Sequence, residues 1–197
     1  MAKRLFDALA SGVGLLLLSP LLLVLAVWIK LDSPGPVFFR QERVGQGGRV
    51  FRIHKFRTMV TDAERRGLLI TVGADARVTH VGQWLRKYKL DELPQLIDVW
   101  MGDMSLVGPR PEVPHYVAFY PAKVRDLVLS VRPGITDRAS IEFKDENIIL
   151  GCAADPHVAY VNDVLPIKLR YYVEYVNDRS FLGDMKLICR TLTALLR

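Results

Sequence analysis

Cysteine is almost absent from this 197-residue chain. The two present, Cys152 and Cys189, share no spacing motif. That excludes a disulfide framework and a cysteine metal site, and free thiols in a reducing compartment are the default. The chain also has no internal repeat and no low-complexity tract. Beyond residue 60 there is no excess of either charge: residues 61–197 carry eighteen Lys/Arg and eighteen Asp/Glu. The net charge of +6 therefore sits in residues 1–60, which carry nine basic and three acidic residues. A positive surplus beside an apolar segment points to an anionic membrane surface or substrate rather than nucleic acid. What is abundant is apolar: half the residues are hydrophobic, enough for one domain with a real core.

Residues 12–29 hold no charge and are broken only by Ser19-Pro20. Eighteen residues make roughly 27 Å of helix, just short of a ~30 Å hydrocarbon core. A cleaved signal peptide has a similar basic start but ends at a small-residue site, whereas this run ends in Trp-Ile-Lys. A straight transmembrane helix and a helix broken at Pro20 that re-enters its own leaflet remain. Pro20 leaves the Leu16 carbonyl without its helical donor, a deficit Ser19 can meet in part. Lys3 and Arg4 precede the run, and Lys30, Arg40 and Arg43 follow it. Basic residues favour the cytoplasmic side, so flanks on both ends suit re-entry.

Residues 31–36 read as a breaker-rich turn. Residues 37–43 and 49–55 are strand-like around Gly45-Gln46-Gly47-Gly48, a β-hairpin. Its second strand runs into Lys55-Phe56-Arg57-Thr58-Met59, either a solvated strand face or a phosphate site. Residues 61–77 read as a short helix and loop. Residues 81–89 mix Trp84 and Tyr88 with Arg86, Lys87 and Lys89, suited to a membrane interface or to a buried Trp with charged neighbours. A helix is expected over 111–130, a tight turn carrying Arg132 over 131–136, and an acidic patch of Glu142, Asp145 and Glu146 after it. Helices follow over 164–176 and at the end, where Phe181, Met185, Ile188, Leu192 and Leu195 form a stripe for the core or the membrane interface.

Residues 89–112, KLDELPQLIDVWMGDMSLVGPRPE, organise the rest. Pro94 belongs in a first helical turn, so the spacing predicts a helix starting near Asp91. Leu93, Leu96, Ile97, Trp100 and Met101 fall on one face. Asp91 and Glu92 would then occupy a helix N-terminus, where the dipole favours carboxylates and phosphates, although Asp91 as a mere N-cap fits as well. Arg110 sits between Pro109 and Pro111. Arginine forks bind phosphate bidentately, and flanking prolines limit the entropy lost. A carboxylate facing a diphosphate meets repulsion of ~4 kcal/mol per charge pair at ~4 Å and dielectric ~20. Lys55, Arg57, Arg86, Arg110 and Arg132 can supply compensating charge, and Mg²⁺ held by a carboxylate and substrate phosphates the rest.

KFRTM at 55–59, DELPQ at 91–95, GDMSLVGPRPE at 102–112 and RPGIT at 132–136 resemble the bacterial sugar transferase family, the monotopic phosphoglycosyl transferases. The resemblance spans nearly the whole chain and rests on the order and spacing of four motifs. It implies transfer of a sugar 1-phosphate from a UDP-sugar to polyprenyl (undecaprenyl) phosphate, with release of UMP and a need for Mg²⁺. This is the first membrane step of glycan assembly. It implies an α+β fold: a re-entrant helix over 1–31 broken at Ser19-Pro20, then a cytoplasmic catalytic domain over 32–197 with a small β-hairpin and several amphipathic helices. The chain resembles the minimal catalytic form, without the extra N-terminal membrane helices of larger members. By position, Asp91 is the nucleophile and Mg²⁺ ligand and Glu92 its acidic partner. Arg110 clamps phosphate, and Lys55, Arg57, Arg86 and Arg132 assist. The implied partners are the donor, the acceptor, membrane lipids of the bacterial inner membrane and, in a homodimer, a second copy. Direct transfer without a covalent intermediate and a non-catalytic membrane scaffold are the competing readings.

Two departures bear on sugar recognition. Many members continue RPGIT with glycine and a Gln-Val-Ser/Asn-Gly-Arg run, where this chain has Asp137 through Glu146. Many place an Asp three residues before a Tyr in the penultimate helix, where this chain has Tyr172 before Tyr175.

Overall fold

The computed structural model describes residues 2–63, 75–143 and 150–195. The uncharged run lies within one long helix, α1 (Ala2–Asp32), which continues through Pro20 rather than breaking there. The proline's missing donor is replaced as its neighbour allows: Ser19 Oγ donates to the Leu16 carbonyl at 2.7 Å. The helix is long and apolar enough to cross a membrane. Its middle is bare, with Leu16 and Leu17 74% and 73% exposed.

Both ends of α1, however, are fastened to the same body by polar contacts. At the N-terminal end, Asp7 accepts from Ser105 Oγ at 2.7 Å and from the Leu106 amide at 3.3 Å. Lys3 pairs with Asp184, and Arg4 donates to the Val99 and Trp100 carbonyls. At the C-terminal end, Asp32 accepts from the Val81 amide at 3.1 Å. Leu25 and Ile29 pack there on Phe56, Val81 and Leu85.

The hairpin pairs β1 (Phe38–Val44) with β2 (Val50–Phe56), each one residue later than the sequence spacing suggested. The turn is made by Gly47 and Gly48, both at positive φ, where a side chain is costly. Alternation along β2 points Phe51 and Ile53 inward, and period two carries Lys55 to that same face. Lys55 is therefore not on a solvated face.

Two further segments depart from expectation. Residues 134–136 form no turn but a strand, β4 (Gly134–Thr136), parallel to β3 (Ser105–Val107). The chains meet so closely that a Cβ on Gly134 would lie 2.1 Å from the Gly108 nitrogen. The helix expected over 111–130 is two short ones, α4 (Pro114–Val117) and α5 (Ala122–Val128). Pro121 divides them, since the residue before a proline is disfavoured in helical conformation. Of the acidic patch, Glu142 lies in α6 (Arg138–Glu142), whereas Asp145 and Glu146, like most of the 61–77 segment, lie outside the described residues.

The chain continues through α7 (Pro156–Ala159), α8 (Leu165–Asp178) and α9 (Phe181–Leu195). Tyr116, Tyr120, Tyr160, Leu165 and Tyr172 belong to the main core. In the final stripe Phe181 and Leu192 are exposed. The inward side of α9 is polar instead: Asp184 takes Lys3 and the Tyr175 hydroxyl, and Thr191 meets Thr136 at 2.6 Å. The architecture is thus α+β, an apolar N-terminal helix on a helical body with two small two-stranded sheets.

Candidate active site

The acidic pair is delivered by a sharp reversal. After α2 (His80–Lys87), Lys89 takes the left-handed conformation at φ 55°, and Leu90–Glu92 makes one 3₁₀ turn. Pro94 stands just outside α3 (Gln95–Met101), as its N-cap. The α-helix thus begins after the acidic pair rather than at Asp91, which lies in the preceding 3₁₀ turn. The face of α3 is also inverted. Gln95, Asp98 and Val99 are buried, whereas Trp100 and Met101 are exposed. The cause is Asp98, whose carboxylate accepts from the His54 amide at 2.8 Å and meets His54 Nδ1 at 2.6 Å, which ties α3 to β2. The apolar side turns to α1 instead, where a Cβ on Gly12 would come within 2.9 Å of Trp100.

Asp91 and Glu92 border a cavity of about 900 Å³, also lined by Lys55, Arg86 and Arg110. This is the size of a small-molecule site. Glu92 accepts from Lys55 Nζ at 2.9 Å and from both Nη groups of Arg110. Burial alone would push Glu92 up, but the Arg110 and Lys55 charges outweigh it and hold it well below the usual carboxylate range. Asp91 is different. Its Oδ1 is buried without a hydrogen-bond partner. Burial and then the Glu92 charge push its pKa up, against the pull of Lys55, Arg86 and Lys89. Arg86 is braced by its Nε donating to Thr58 Oγ1 at 2.8 Å.

Two expected phosphate ligands are held by backbone carbonyls, although Arg57 also borders the cavity. Arg57 donates to the carbonyls of Ile29, Ser33 and Pro34 and to Ser33 Oγ, so it caps the C-terminal end of α1. Arg132 Nε donates to the Gly102 carbonyl at 2.8 Å, at the end of α3. Sequence reasoning passed over Arg43, Glu112, Tyr160 and Lys168, which line the same cavity. Arg43 was legible in principle, because the alternation of β1 sets it on one face with Phe39 and Gln41. Tyr160 and Lys168 carried no local signal.

The two departures from the family pattern lie together. Asp137 caps α6 through Ser140. The Tyr172 hydroxyl is buried without a hydrogen-bond partner, and burial, then the Asp137 charge, push its pKa well up.

Among the described residues no group of three or more His, Cys, Asp or Glu could hold a metal unaided. The unpartnered Asp91 oxygen fits a Mg²⁺ that takes one carboxylate and completes its shell from substrate phosphates.

The bacterial sugar transferase family model matches residues 1–197. The chain is 40% identical over 196 residues to the UDP-N-acetylgalactosamine-undecaprenyl-phosphate N-acetylgalactosaminephosphotransferase of Aeromonas hydrophila, covering 98% of this chain and 43% of that protein. It is 36% identical to the UDP-glucose:undecaprenyl-phosphate glucose-1-phosphate transferase of Caulobacter vibrioides, covering 100% and 70%. The Escherichia coli K12 protein of that same name is 35% identical, covering 98% and 39%. The chain thus spans less than half the length of several curated relatives that it matches. On a match along its whole length, the chain belongs to the bacterial sugar transferase family.

Proposed function

We propose that this protein transfers a sugar 1-phosphate from a UDP-sugar to undecaprenyl phosphate, with a covalent phosphosugar on Asp91. The observation that carries this reading is the Asp91 carboxylate. One of its oxygens is buried, unpartnered and set in a cavity beside Lys55, Arg86 and Arg110. Leaving such an oxygen without a partner costs stability, so the Asp91 carboxylate is set to meet the substrate phosphate and its Mg²⁺ rather than a protein donor.

In the first step a carboxylate oxygen of Asp91 attacks the sugar-bearing phosphorus. The bond from that phosphorus to the bridging oxygen breaks, and UMP leaves with the electron pair. In the second step a phosphate oxygen of the acceptor attacks the same phosphorus, and the Asp91–phosphorus bond breaks to restore the carboxylate. No proton changes hands, because both nucleophiles are anions. Glu92 stays ionised between Lys55 and Arg110 and fixes both cations beside the phosphates. Asp91 and the donor phosphates would hold Mg²⁺, which neutralises phosphate charge when bound.

The acceptor is a lipid, which suits a catalytic body seated on the cytoplasmic membrane. Support comes from α1. Its bare middle is flanked by two ends tied to one body, Asp7 to Ser105 and Asp32 to Val81. A spanning helix would put those two ends on opposite faces of the membrane, where one polar body on the cytoplasmic side would not hold both. Residues 1–31 thus read as a re-entrant anchor and 32–197 as the cytoplasmic catalytic part. The test is UMP release by detergent-solubilised protein given Mg²⁺, undecaprenyl phosphate and a panel of UDP-sugars. Release that needs both substrates is expected, and its absence across the panel would refute the reading.

A further inference from the structure

The cavity continues past the acidic pair to a wall built from Arg43, Glu112, Tyr160 and Lys168. Glu112 and Lys168 are only 8% and 4% exposed. Tyr160 donates its hydroxyl to Glu112 Oε1. Lys168 Nζ lies 3.5 Å from the Tyr160 oxygen and 4.9 Å from its ring centroid. Arg43 Nη1 lies 3.8 Å from Glu112 Oε2. Tyr160 opens a single π-helical turn, Tyr160–Val164. Such turns are rare and recur at functional sites.

Folding does not account for this wall. Charges withdrawn from water are costly, and apolar side chains of similar volume are often the more stable filling. The chemistry displayed is that of polyol recognition. A sugar hydroxyl donates to a carboxylate and accepts from an ammonium at once, and this wall offers both groups side by side. Uracil offers a single N–H donor between two carbonyl acceptors, whereas a hexose offers several hydroxyls that each donate and accept, and the UDP arm of the test separates the two. Phe56, Leu93 and Leu96 also line the cavity. A Cβ on Gly14 of α1 would lie 3.4 Å from Leu96 Cδ1, so this apolar part adjoins α1 and suits the lipid.

We propose that Glu112 and Lys168 form the subsite that holds the donor's sugar hydroxyls while Asp91 meets its phosphate. The proposal rests on the donor being a UDP-sugar. It is tested by calorimetric titration of the solubilised full chain carrying Asp91→Asn, which blocks turnover. The probes are UDP, UDP-glucose and UDP-N-acetylgalactosamine. Glu112→Gln and Lys168→Met should each weaken the better-bound UDP-sugar about tenfold or more and shift UDP by less than about twofold. Equal losses for UDP and UDP-sugar, or no loss, overturn the proposal. Deoxy analogues of the better-bound UDP-sugar, each lacking one hydroxyl, test the unaltered wall should a variant fail to fold. At least one should bind about tenfold more weakly, and uniform binding overturns the proposal. Failure of the protein with an intact wall to bind UDP or either UDP-sugar would instead overturn the transferase reading.

Discussion

Arg110 holds Glu92 with both arms of its guanidinium, Nη1 lying 3.1 Å from Oε2 and Nη2 against Oε1. The fork that the sequence reserved for phosphate is thus closed on a carboxylate. With Lys55 on the same carboxylate at 2.9 Å and Arg86 bordering the cavity, three cations stand against two acids. The local balance is positive although Asp91 and Glu92 are adjacent, and a diphosphate needs that balance.

Arg110→Ala should therefore remove most activity and also destabilise the fold. It leaves a buried carboxylate with one partner fewer, a change of roughly 3–5 kcal/mol where such pairs are broken. Adding Glu92→Gln should restore much of that stability without restoring activity. Thermal melts and UMP release on the single and double variants check both halves. A double variant no more stable than Arg110→Ala would show that the pair is not coupled as described.

Asp91 has its pKa raised by burial and by Glu92. A carboxyl whose folded pKa lies above its unfolded value near 3.9 costs stability once pH exceeds the unfolded value, with the full cost above the folded pKa. At neutral pH Asp91→Asn should thus raise the melting temperature while abolishing transfer. Glu92 has the opposite sign. Its depressed pKa adds stability above its unfolded value near 4.3, which is lost as pH falls through the folded one. Attack requires ionised Asp91, so the single-turnover rate should fall on acidification. Melts and single-turnover rates across pH test both statements.

The hairpin and α8 were legible because period-two and helical spacing report burial where one face is apolar, and α9 was legible as a helix although Phe181 and Leu192 of its apolar stripe are exposed. The orientation of α3 was not, because Trp100 and Met101 are exposed while Asp98 and Gln95 turn inward beside Val99. Hydrophobic spacing cannot distinguish a core from the neighbourhood of a membrane helix. The acidic pair and Lys55, singled out together from their motifs, do border one cavity. The hold of Arg57 on backbone carbonyls of another element was not legible, because composition cannot encode such a role.

Arg57→Ala should loosen α1 at its C-terminal end. Four acceptors lose their donor, among them the Ile29 and Ser33 carbonyls. The expected result is a loss of roughly 1–3 kcal/mol in stability. Proteolytic cleavage near residue 33 should accelerate, whereas UDP binding should change little. A variant that melts normally but no longer binds UDP would return Arg57 to the nucleotide.

Cysteines placed at Ala2 and Lys30, after replacing the exposed Cys152 and Cys189, should both be labelled by a membrane-impermeant reagent only from the cytoplasmic side. Labelling of Ala2 alone from outside would establish a spanning helix.

The central claim is that Asp91 carries the sugar phosphate. Incubation with the UDP-sugar that supports UMP release and Mg²⁺, without undecaprenyl phosphate, followed by intact-mass and peptide mass spectrometry, tests it most directly. The account predicts a sugar-phosphate adduct on Asp91, absent from Asp91→Asn and discharged when acceptor is added. An adduct on Glu92 or another residue, or substantial transfer by Asp91→Asn, would contradict it.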